Sequence, residues 1–271
     1  MPRFRHSHFH TSSISTSSPG GVSLPGPFLR LTPWAVLWVL MFMVVPVSAP
    51  GALEVTHARW FSVEEAGDHT IVEITRPWEG EGRKSVYVLI PRAANLSAAR
   101  AEELETEVRR ENRGAEQVRV IRTPVRSFVA LSSTYLYPLI LLNHLDALTA
   151  IDSRSNVYNP EVRRRAAEGD IEEVGSGPAV DLERIVTLEP EVVMASGVSG
   201  EYNTSRKLER AGVPVVVNAD YLETTPLARA EWIKFIALLF GEEERAQELF
   251  DEIEQRYLQL KKRVEGAEPE P

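Results

Sequence analysis

Three short runs of branched apolar residues set the reading of this chain: residues 118–121, 191–195 and 213–217. Each is too short to cross a membrane and suits a strand buried on both faces of a parallel sheet. Helical patterns lie between them, so residues 118–222 read as a small α/β lobe. Upstream, residues 57–62 and 70–75 show partial alternation, and 85–90 (Ser-Val-Tyr-Val-Leu-Ile) alternate more clearly. These predict a three-strand meander. A charged, alanine-bearing surface helix follows over 98–113, completing a small β-rich segment at 50–117.

Downstream, Thr225 caps a helix that starts with Pro226 and carries the apolar mass of Leu227, Ile233, Leu238 and Phe240, closing a lobe helix over 223–241. Glu242, Glu243 and Glu244 then open a second helix with acid at the correct dipole end. Ala246, Leu249, Phe250, Ile253, Tyr257, Leu260 and Val264 repeat at three and four, and Lys261, Lys262 and Arg263 close it. At ~1.5 Å per residue it is a rod of about 35 Å. It occupies 242–265 and leaves a tail at 266–271.

Residues 1–49 stand apart. Positions 1–30 are basic and rich in Ser, Thr, Gly and Pro, 31–47 are apolar, and Val47-Ser48-Ala49 suits cleavage after Ala49. The pattern is an export signal, with a retained membrane anchor as the alternative. It places the protein in the periplasm or on the outer face of the cytoplasmic membrane.

Net charge is −9 at pH 7, which argues against a general nucleic-acid binder. With no cysteine there is no disulfide, no thiolate metal site and no lipid-carrying cysteine. No metal site or cofactor is expected. Catalysis is not supported. His144 and Asp146 are two residues apart and would not face each other on a helix, and there is no Gly-x-Ser-x-Gly or His-Glu-x-x-His. Gly175-x-Gly177 lacks the third glycine of a dinucleotide fingerprint, since position 180 is Val180.

The loops offer ligand chemistry instead. Ser132, Ser133 and Thr134 precede an apolar helix over 135–145, which Tyr135 opens. Hydroxyls at a helix start cap free N–H groups, and the same geometry also receives an anion. The polar loop 152–160 offers Arg154 and Tyr158, a cation and an aromatic hydroxyl, with solvated loop residues as the alternative.

The run Asp181-Leu-Glu-Arg-Ile-Val-Thr-Leu-Glu-Pro190-Glu-Val-Val, with Thr225-Pro-Leu-Ala-Arg-Ala-Glu-Trp-Ile-Lys-Phe-Ile-Ala-Leu-Leu-Phe-Gly241, resembles the extracytoplasmic solute-binding proteins of ABC importers for iron–siderophores, haem or cobalamin. The resemblance covers roughly 55–264. It implies the amino-terminal lobe of a two-lobe α/β protein, with helix 242–264 as the interlobe rod. Ser132 to Tyr135 would be the ligand-facing loop, Arg154 and Tyr158 a second contact, and Glu201 a permease-docking acid. The implied ligand is a ferric siderophore, alternatively cobalamin or haem. The implied partners are a permease and its ATPase, with the binding protein itself a monomer. The family's second lobe would follow position 264, so the chain is expected to lack it and to bind weakly or not at all alone. A sensory or structural protein using the same lobe is the other reading.

Overall fold

The computed structural model divides the chain into two units, Met1–Val47 and Ser48–Pro271. It describes residues 53–78, 83–197 and 202–265, all in the second unit. The leader and the tail therefore lie outside the described residues.

The described chain opens with strands β1 (Phe61–Glu65), β2 (Thr70–Ile74) and β3 (Ser85–Pro91), helix α1 (Ala98–Glu111) and strand β4 (Gln117–Thr123). The first three form the expected antiparallel meander, and β4 lies parallel to β3, reached through α1 as a crossover. Ser97 caps α1, its side chain accepting from the Arg100 amide.

A second sheet follows. Its elements are β5 (Phe128–Ala130), α2 (Leu136–Leu141), β6 (Leu148–Ile151), α3 (Pro160–Glu168), β7 (Glu172–Glu173), α4 (Leu182–Leu188), β8 (Val192–Ser196), α5 (Tyr202–Arg210) and β9 (Val215–Asn218). All its pairings are parallel and its order is β7-β6-β5-β8-β9. The chain winds outward from β5 to β7, then crosses back to β8 and β9. Its direction reverses between β5 and β8, the place where open parallel sheets leave a crevice beyond their carboxyl ends. Asn159 caps α3 and Asp181 caps α4, and Gly175, at φ +79°, allows the Ala179 carbonyl to approach too closely for any Cβ. The last helices are α6 (Pro226–Ala230), capped by Thr225 as expected, α7 (Trp232–Leu238) and α8 (Glu243–Val264).

One expectation is corrected. Residues 118–121 were to open the lobe's parallel sheet, but β4 pairs with β3 and not with β5, β8 or β9. The new sheet begins only after Thr123-Pro124. The division at 117/118 also does not separate two cores. Every residue of α7 is buried, and its rings pack on the first sheet: Phe61 lies 4.8 Å from Trp232 and Tyr87 6.2 Å from Phe235. Just beyond α7, Phe240 meets Phe128 at 5.8 Å. One apolar core therefore contains side chains from both sheets.

The run preceding β1 is held by side chains instead of a neighbouring strand. Glu231, fully buried, accepts from the amides of Thr56 (2.8 Å), His57 (2.6 Å) and Ala58 (2.7 Å). Lys234 neutralises it at 2.9 Å and also donates to the Glu54 carbonyl. Glu223 accepts from the amides of Arg59 and Trp60 and from the Trp232 indole. Glu231 thus meets donors on both oxygens, as a buried charge requires, whereas Glu223 takes all three on Oε1 and its buried Oε2 has no hydrogen-bond partner.

Candidate functional site

The loops leaving the carboxyl ends of β5 and β6 are built alike. After β5, Ser132 has extended backbone and its hydroxyl accepts from the Thr134 amide, starting a short 3-10 turn that leads into α2. After β6, Ser153 does the same for Ser155 and leads toward α3. Ser132 therefore serves as a cap, the structural role its position allows.

Between these two loops lies a concavity of about 220 Å³. Ser133, Leu136, Tyr137 and Ile140 form one wall and residues 156–159 the other. Tyr137 and Tyr158 stand at it exposed, at 66% and 93% of their surface. Asn156 is braced from behind by Asp152, whose carboxylate accepts its amide at 2.8 Å. Asp152 is buried and its other oxygen has no hydrogen-bond partner.

The residues singled out from sequence divide on this geometry. Ser133 and Tyr158 are brought together in the concavity, whereas Ser132 and Thr134 lie beside it, hydrogen-bonded to each other at 2.9 Å. Tyr135 is corrected: it is buried at 1% exposure in the shared core. Its spacing explains this, because Tyr135, Leu139 and Leu142 repeat at four and three and share the inward face. Tyr137, two positions on, falls on the opposite side, and that offset is the signal that would have found it. Arg154 does not line the concavity. Its side chain pairs with Glu173 at 2.5 Å and its amide donates to the same carboxylate. Glu201 lies outside the described residues.

At the end of β8 the chain meets the connection that follows β2. Gly197 packs so closely on Pro77 that a Cβ there would sit 1.8 Å from the Pro77 carbonyl oxygen. The concavity lies on the β5–β6 side of the reversal. Among the described residues no group of three or more His, Cys, Asp or Glu is placed to hold a metal ion, and no helix is long and apolar enough to cross a membrane.

The profile of the family described as Periplasmic binding protein matches residues 129–271, more than half the chain. The chain belongs to this family. The match begins within β5, so it takes in the parallel sheet, both loops of the concavity and the terminal helices. Two uncharacterized lipoproteins of Methanocaldococcus jannaschii are similar to this periplasmic binding protein family member. One is 27% identical over 154 residues, covering 54% of this chain and 36% of the relative. The other is 27% identical over 161 residues, covering 56% and 40%. The matched part thus spans well under half the length of these relatives. An ABC transporter substrate-binding protein from Listeria monocytogenes is a similar solved structure, 24% identical, with a TM-score of 0.43 over 53% of this chain and 51% of that one.

Proposed function

We propose that this chain supplies a binding lobe that captures a metal chelate outside the cytoplasmic membrane for delivery to an ABC importer. The observation that carries the reading is the concavity at the carboxyl ends of β5 and β6, in a chain of the periplasmic binding protein family. A ferric siderophore is the ligand we favour, with cobalamin or haem as the alternatives. The work asked of the site is recognition without bond breaking. A surface whose loops are fixed by their own caps suits it, because little ordering is left to be done on binding. The permease and ATPase are the proposed partners, with Glu201 as a docking acid. Export follows from the leader, with cleavage after Ala49.

Equilibrium dialysis of the purified chain against ferrioxamine B, cyanocobalamin and haemin tests the reading. Weak retention at best, not submicromolar and reduced on Tyr158→Ala where it occurs, is the expected result for the lobe alone. Retention indifferent to Tyr137→Ala and Tyr158→Ala together overturns it.

A further inference from the structure

We infer that the concavity selects neutral or cationic chelates with an apolar outer face and disfavours polyanionic ones. This deepens the proposed function and rests on that reading.

The lining carries hydroxyls, amides, aliphatic carbons and two phenol rings, and no charged side chain. Arginines do stand nearby, but none lines the concavity and each is already tied elsewhere. Arg154 is bound by Glu173, and Arg163 donates to the Val157 carbonyl at 3.0 Å and the Arg154 carbonyl at 3.4 Å. A polyanion drawing on either would have to compete with the Glu173 carboxylate or with these backbone carbonyls. Behind Asn156 the next side chain is the acid Asp152, which is the wrong sign for an anion. The whole chain at −9 opposes the approach of a polyanion as well.

What the surface does offer is complementary to the opposite class. Exposed Tyr137 and Tyr158 present ring faces to an apolar or cationic surface and hydroxyls to a carbonyl or hydroxamate rim. Half-buried Ile140 supplies apolar surface, backed by buried Leu136 and Val157. At about 220 Å³ the concavity takes one face of a chelate and leaves the remainder uncovered. Specificity on this side therefore comes from that face and its charge.

The test is amide-resolved NMR titration of the chain with three diamagnetic probes. They are the cationic gallium–desferrioxamine B complex, neutral cyanocobalamin, and a triply anionic gallium–tricatecholate. The amides of Ser133, Tyr137, Asn156 and Tyr158 are expected to shift with one of the first two probes. The tricatecholate is expected to bind on the order of tenfold more weakly or worse. Tyr158→Lys, at an exposed position, is expected to narrow that gap by adding an unengaged cation. Tricatecholate binding equal to or tighter than the others at these amides overturns the charge selection and leaves chelate capture standing. No shift at these amides with any probe at millimolar concentration overturns both.

Discussion

Glu231 shows how one residue can hold a fold's edge. Burial by itself would raise its pKa, but the amides of Thr56, Ala58 and His57, together with Lys234, outweigh burial and hold the carboxyl below its ordinary value of 4.5. A group with a depressed folded pKa stabilises fully above the ordinary value, and that contribution is lost as pH falls through the folded value. Urea unfolding at stepped pH is expected to show stability falling below about pH 4.5, with a shallower slope in Glu231→Gln. At neutral pH the same substitution leaves the buried Lys234 uncompensated, and a loss of about 3–5 kcal/mol is expected. None of this was legible from spacing alone. Glu231 and Lys234 sit among Trp232, Ile233, Phe235 and Ile236, and the apolar run around them was the only sequence sign that both charges would be buried.

At the scale of elements, the tightest constraint is the meeting of Gly197 with Pro77. Gly197→Ala would place a methyl 1.8 Å from a backbone oxygen, so the segment carrying Pro77 and Trp78 must move. A loss of about 1–3 kcal/mol is expected, with a change in tryptophan emission as buried Trp78 shifts. Elements whose ends are fixed by their own residues were readable in advance: Thr225 before Pro226, and the long periodic α8. Elements whose ends depend on distant partners were not. The first strand was expected over 57–62 but runs Phe61–Glu65, because the amides of residues 56–60 are taken by Glu223 and Glu231. β4 was recognisable as a strand, yet its pattern carries no information on which sheet it joins. The expected helix over 135–145 contracts to α2 because Asn143, at φ +59°, turns the chain out of it. In the candidate site, Ser133 and Tyr158 were legible as loop residues, whereas the choice between Tyr135 and Tyr137 needed the direction of the helix face.

Across the whole molecule, the two sheets are joined by polar as well as apolar contact. The Tyr87 hydroxyl, on β3, accepts from the Val217 amide of β9 at 2.9 Å and from the Gln117 side chain at 3.0 Å. Burial pushes this phenol well above its ordinary pKa, so it remains a neutral hydroxyl. Tyr87→Phe is expected to cost about 1–3 kcal/mol and to accelerate hydrogen exchange at Val217 beyond the global change. The amino-terminal sheet is thereby bonded to the edge of the parallel sheet. The connection from β2 to β3 also packs on Gly197, while the concavity lies on the β5–β6 side.

The clasp at residues 56–60 also has a mechanical meaning. Tension arriving from the amino-terminal side reaches Glu231 and Glu223 before it reaches any ladder between strands. Such a clasp yields one carboxylate at a time. Stretching the chain in an optical trap is therefore expected to give a small early lengthening before the sheets rupture. The force of that first event is expected to drop in acid, which would make this short run a pH-dependent fuse.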